Sequence, residues 1–184
     1  AGGRLADAFG RRRLFLIGLV VFTASSLLAG LAGGAATLIA ARALQGIGAA
    51  AVTPTTLAII SATFTDPRER NAAVGIWGGV GALALAVGPV LGGLLTQHVS
   101  WEWIFWINVP FGIATIALGS WAIRESREDE ARRLDLPGLA LSTVSLFTLT
   151  WALIEGHDRG WTSAGILGAF AAAAVAALAF VAAE

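Results

Sequence analysis

The chain has 184 residues, 57% of them hydrophobic and 13% charged, with a mean hydropathy of +0.77. That composition is far from a soluble globular domain, and the absence of cysteine excludes disulfide frameworks and cysteine metal sites. The formal net charge is zero, so the placement of the twelve arginines carries the electrostatic information, and no nucleic-acid partner is expected.

The chain opens with a loop, Gly3-Arg4-Leu5-Ala6-Asp7-Ala8-Phe9-Gly10-Arg11-Arg12-Arg13. Gly3 and Gly10 supply a tight turn, and an acid is set close to several bases. Asp7 near a helix N-terminus gains from the dipole and can pair with neighbouring arginines. Leu14–Ala32 follows as the first apolar run. It is longer than the roughly 7–15 residues of a signal-peptide core and further runs succeed it, so it reads as a retained membrane span.

The second span, Ala35–Ile60, carries Arg42, with Gln45 and Gly46 after it. Arg42 lies about seven residues inside the run, roughly 10 Å deep at 1.5 Å per residue. An arginine inside a span costs about 2.5–3.5 kcal/mol on insertion scales, so it should face protein or a wet cavity and have a partner. Gln45, at i+3, lies on nearly the same face. Snorkelling to the surface is the alternative, marginal from that depth.

The third span, Ala72–Leu95, contains Gly75, Gly78, Gly79, Ala84, Gly88, Pro89, Gly92 and Gly93. Small residues at 84, 88 and 92 share one helix face and allow close approach of a neighbouring helix. Pro89 removes a backbone donor and softens the helix. The fourth span, Ile104–Ile123, is entered through Trp101-Glu102-Trp103-Ile104-Phe105-Trp106-Ile107-Asn108-Val109-Pro110. The charged run Arg124–Asp135 reads as a solvated linker, with an amphipathic segment on the membrane surface as a second reading. Leu136–Ile154 and Ala164–Ala183 complete six spans. His98 and His157 have no ligand cluster around them, so no metal and no catalysis are assigned. Glu155 and Asp158 read as interfacial, and no acid lies deep in any span.

Arginine sets the orientation. Ten of the twelve lie in the segments before the first span, after the second and after the fourth, which makes that side cytoplasmic. Trp101, Trp103, Trp106, Trp151 and Trp161 cluster near the outer ends and Trp77 and Trp121 near the inner ends, as interfacial anchors do. The chain has no methionine, begins inside a loop and ends directly after an apolar run, and so reads as a segment of a longer protein.

The loop at Gly3–Arg13, the Arg42-x-x-Gln45-Gly46 sequence and the Gly75…Ala84…Gly88-Pro89…Gly92-Gly93 pattern together resemble the major facilitator superfamily. Within it they resemble the drug:proton antiporters, and the Trp101–Gly112 segment is similar to the fourteen-span EmrB/QacA-like subfamily. The resemblance implies an all-α polytopic transmembrane helical bundle, a partial major facilitator fold. Residues 1–123 would be spans three to six of the N-terminal half, 124–135 a cytoplasmic linker, and 136–184 two extra linking spans. It implies export of amphipathic small molecules in exchange for protons across the cell membrane, with no cofactor. Arg42 and Gln45 would serve proton coupling; Gly3, Asp7, Gly10 and Arg11 a cytoplasmic gate; Gly75, Ala84, Gly88, Pro89, Gly92 and Gly93 helix packing. Ala8 departs from the basic residue common in the gate motif and weakens that latch. The main protonatable carboxylate would belong to the family's first spans. A narrow-specificity metabolite exporter and a proton-coupled importer are the alternatives. An enzyme would need clustered acids or histidines at membrane depth, and a channel a continuous polar stripe. Substrate identity, proton stoichiometry and oligomeric state are not legible.

Overall fold

Every backbone polar group in a bilayer must find its partner within the chain, so apolar runs of this length fold as helices. The computed structural model describes residues 9–126 and 136–183. Gly3 and Asp7, and residues 127–135 of the expected linker, lie outside the described residues. The described helices are α1 (Arg11–Gly30), α2 (Ala35–Thr63), α3 (Pro67–His98), α4 (Trp103–Trp106), α5 (Asn108–Ala122), α6 (Leu136–Arg159) and α7 (Ala164–Ala183). Among the described residues six spans are long and apolar enough to cross a membrane, with α4 and α5 forming one of them.

Most helices run past the expected apolar limits because local chemistry, not hydropathy, sets their ends. Asp66 caps α3, accepting from the backbone N–H groups of Arg68 at 2.7 Å and Glu69 at 3.2 Å, with Pro67 in the first turn. This cap and proline pairing is a strong helix start, five residues before the apolar run. α6 continues beyond Ile154 because Arg159 donates to Glu155 one turn back at 2.6 Å and lies 5.2 Å from the centre of the Trp151 ring. At Ile107 the backbone stays helical while the hydrogen-bond ladder lapses between α4 and α5. Pro110 cannot donate there, and the Asn108 side chain reaches back to the Ile104 carbonyl at 3.4 Å.

The chain divides into two compact units, one with the described residues up to Ser126 and one with those from Leu136. In the first, α1 is the helix on which α2, α4 and α5 pack. Its buried residues include Phe15, Gly18, Leu19, Ser26, Ala29 and Gly30, spaced by three and four along one face. The matching face of α2 buries Ala41, Gln45, Gly48 and Thr55. Lipid offers no hydrophobic drive between spans, so close packing must supply the association. A side chain on Gly48 would meet the Phe22 backbone nitrogen at 2.7 Å and the Gly18 carbonyl oxygen at 2.8 Å. Only glycine lets α1 and α2 approach this far. Gly30 accommodates Trp106, and Gly112 accommodates Thr23, in the same way.

α3 contrasts with its neighbours. None of its residues is buried, and Gly75, Gly88, Gly92 and Gly93 have nothing within 4 Å of where a Cβ would stand. The close approaches among the described residues are therefore made by glycines outside the pattern on α3.

In the second unit α6 and α7 pair through small residues, burying Ala152, Ile166, Ala173 and Ala176. The Ser145 hydroxyl donates to the Ala173 carbonyl at 3.0 Å. Gly160 turns the chain with φ of 83°, and Gly156 leaves room for the Trp161 ring.

Candidate functional site

Arg42 sits in the second turn of α2, where its guanidinium makes two contacts. Nη1 donates to Gln45 Oε1 at 2.5 Å, and the guanidinium carbon lies 5.8 Å from the centre of the Phe105 ring on α4. The first contact is the i+3 neighbour on its own helix. The second is a cation–π approach worth about 0.5–1 kcal/mol when exposed and about 2 kcal/mol or more when desolvated.

Gln45 is 3% exposed, so both ends of its amide need partners. Oε1 accepts from Arg42. Nε2 donates to Ser26 Oγ on α1 at 2.6 Å, and the Ser26 hydroxyl donates to the Phe22 carbonyl at 2.8 Å. The result is a directed chain of hydrogen bonds from a fixed positive charge, through a buried amide, to a second helix. A serine hydroxyl bonded to its own helix is stable in an apolar setting, and here it keeps a lone pair for the glutamine.

The opposite end of the unit holds the arginine-rich loop. Gly10 has φ of 100°, and a Cβ there would stand 2.7 Å from a Glu125 carboxylate oxygen. The Glu125 carboxylate accepts from the Arg12 backbone N–H at 3.1 Å and lies 3.8 Å from Arg13 Nε. Arg11 N–H donates to the Ser126 carbonyl at 3.1 Å, and Arg12 Nη2 donates to the Ser120 carbonyl at 2.5 Å. Three arginines in the first turn oppose the dipole of α1, and Glu125 offsets them where a negative charge is favoured. Arg12 likewise places a cation at the carbonyl end of α5. An open cavity of about 630 Å³ lies between the ends of α2 and α5, bordered by Ile59, Phe64, Ile123, Arg124 and Glu125.

The structure thus brings Arg42 and Gln45 together, and sets Gly10 and Arg11 against the segment after α5. It brings Gly75, Ala84, Gly88, Pro89, Gly92 and Gly93 onto one helix with no described neighbour close to the glycines. Ser26, Phe105 and Glu125 are the residues that sequence reasoning passed over. Ser25 and Ser26 interrupt an otherwise apolar stretch of α1, and that interruption was the available signal. Glu102 stands one turn before Phe105, and its Oε2 is buried without a hydrogen-bond partner among the described residues. No group of His, Cys, Asp or Glu able to hold a metal occurs among the described residues.

The profile of the Major Facilitator Superfamily matches residues 1–183. The chain is 43% identical over 177 residues to the multidrug resistance protein Stp of Mycobacterium tuberculosis, covering 96% of this chain and 33% of that protein. It is 40% identical over 175 residues to the tetracenomycin C resistance and export protein of Streptomyces glaucescens, covering 95% and 32% respectively. A puromycin resistance protein of Streptomyces alboniger is 44% identical over 160 residues, covering 87% and 32%. The chain spans about a third of the length of these curated relatives. With six apolar helices spread through its length, it is a membrane protein and belongs to the Major Facilitator Superfamily of transporters.

Proposed function

We propose that this segment belongs to a fourteen-span exporter that moves amphipathic small molecules out of the cell in exchange for protons. Residues 1–123 would then be spans three to six, 124–135 a cytoplasmic linker and 136–184 the two linking spans. The relatives named for multidrug, tetracenomycin C and puromycin resistance support export. The observation that carries the coupling is the Arg42 arrangement. A guanidinium keeps its charge at every pH a cell reaches, so Arg42 acts on a titrating carboxylate elsewhere, favouring its charged form when the two are close. Separation of the two would release that hold and let the carboxylate take up a proton.

The arginine distribution supports a cell-membrane protein with its arginine-rich loops in the cytoplasm. Gly3, Asp7, Gly10 and Arg11 are assigned to the cytoplasmic gate, with Glu125 as a partner of that loop. The face of α3 that carries Ala84, Gly88 and Gly92 is assigned to packing against spans of the complete transporter. A second reading, export of a single antibiotic, draws support from relatives named for one compound, including a cephamycin export protein of Amycolatopsis lactamdurans. Efflux of ethidium, puromycin and a cephamycin by the complete transporter in proteoliposomes separates the two. Export of all three supports the broad reading, export of one the narrow reading, and export of none under a pH gradient contradicts the broad reading.

A further inference from the structure

Two adjacent serines on α1 are both buried, yet only one of them faces the charge on α2. Ser25 Oγ lies 2.5 Å from the Val21 carbonyl oxygen and 3.2 Å from that of Phe22, so its hydrogen bonds stay within its own helix. Ser26 gives its hydrogen to the Phe22 carbonyl and accepts from Gln45 Nε2 across the helix interface. We infer that Ser26 is a positioning residue for proton coupling: it holds the Gln45 amide in the orientation that presents an oxygen to Arg42. The inference rests on the reading of Arg42 as the coupling group.

The chemistry of an amide makes this a choice between two states. The oxygen and nitrogen of Gln45 are nearly the same size, and a half-turn about the last torsion exchanges them. In one orientation Oε1 meets Arg42 and Nε2 meets α1. In the other, an NH2 group faces the guanidinium, two donors meet, and the bond is lost. Arg42 alone selects the first state, but only while it stays beside Gln45. The Ser26 hydroxyl is committed as a donor to Phe22 and therefore offers a lone pair, which selects the same state from the opposite side. With Ser26 in place the amide keeps its orientation even when Arg42 moves away, so the guanidinium returns to a prepared acceptor.

The position of Ser26 is fixed by backbone contact rather than by a flexible side chain. Gly48 stands one turn beyond Gln45, and its place against the Phe22 backbone nitrogen and the Gly18 carbonyl leaves no room for a Cβ. Phe22 is the residue whose carbonyl anchors Ser26. One crossing thus sets both the helix separation and the serine that reads it. A shift of α1 against α2 would alter the support of Arg42 without touching Arg42 itself. Phe105 holds the guanidinium from a third helix, so the charge is set by α1, α2 and α4 together.

Two measurements on the complete transporter test this. The first needs no substrate: thermal unfolding in detergent of Ser26→Ala, Arg42→Ala and the double variant. Ser26 and Arg42 are joined through Gln45, so their effects should be non-additive, and the coupling should vanish in a Gln45→Leu background. Additive effects in the wild-type background overturn the inference. The second is ethidium efflux from proteoliposomes across a series of imposed pH gradients. Ser26→Ala should lower the maximal rate about tenfold, the loss of a hydrogen bond that supports a charged group, and displace the pH profile with KM unchanged. Ser25→Ala should behave as wild type. Equal damage from Ser25→Ala and Ser26→Ala would make both serines packing residues and overturn the assignment. Wild-type behaviour of Ser26→Ala beside an inactive Arg42→Ala sinks the inference alone. Wild-type gradient dependence in Arg42→Ala sinks the coupling reading beneath it.

Discussion

Glu125, which follows α5, accepts a hydrogen bond from the backbone N–H of Arg12, in the first turn of α1, across 113 positions of sequence. The contact joins the start of one span to the end of another and places a carboxylate where the helix dipole favours it. Its side-chain ion pair with Arg13 is long, and Arg13 is 67% exposed, so the pair itself adds little. The backbone bond matters more. Glu125→Gln, which keeps an acceptor, should change stability by only a few tenths of a kcal/mol, whereas Glu125→Ala should cost about 0.5–1 kcal/mol. Hydrogen exchange at the Arg12 amide reports the difference directly: fast exchange in Glu125→Ala and slow exchange in Glu125→Gln. Equal protection in both variants would remove the cap.

Two glycines offer opposite expectations. A methyl at Gly48 would press on backbone atoms of α1 that cannot move aside, so Gly48→Ala should cost about 1–3 kcal/mol, as overpacking does. It should also lower activity. Gly92 meets nothing among the described residues, so Gly92→Leu should leave the α1–α2 contact intact. In the complete transporter, Gly92→Leu should still impair export, because the small-residue face of α3 is assigned to a neighbouring span. Thermal unfolding in detergent of Gly48→Ala reads the first effect and efflux by Gly92→Leu reads the second. Normal efflux by Gly92→Leu at normal expression would leave that face without a packing role.

Orientation is testable with single cysteines, since the segment has none of its own. Glu69 in the first turn of α3, Gln97 in its last turn and Thr162 between α6 and α7 are all exposed. In a background free of cysteine, Glu69→Cys should react with an impermeant thiol reagent only from the cytoplasm. Gln97→Cys and Thr162→Cys should react only from outside. Labelling of Glu69→Cys in intact cells would invert the arginine-based topology.

The number of spans was legible because length and apolarity are local properties, and each run was long enough to cross a bilayer. Helix ends were less so. Asp66 and Pro67 start α3 through a cap, and Glu155 with Arg159 extends α6 through an ion pair, neither of which hydropathy registers. Arg42 and Gln45 were legible because i+3 spacing places them together whatever the tertiary structure. Ser26 and Phe105 were not, because nothing in a single helix says which residue of another helix it will face. The glycines illustrate the same limit. A regular pattern on α3 drew attention, yet Gly18 and Gly48 make the close contact here, and only their neighbours distinguish them from other glycines in a glycine-rich chain.

The central claim is that Arg42 couples export to the proton gradient. Arg42→Ala in the complete transporter should insert and fold, because the Arg42 side chain is exposed in this unit rather than part of its core. Arg42→Lys should retain part of the activity, since the charge persists while the planar donor fork is lost. The most direct measurement is ethidium efflux from proteoliposomes with and without an imposed pH gradient, at matched protein density. The account predicts that wild-type efflux rises with the gradient while Arg42→Ala shows the same slow efflux in both conditions. Gradient-dependent efflux by Arg42→Ala at the wild-type rate would contradict it and leave the arginine a structural residue.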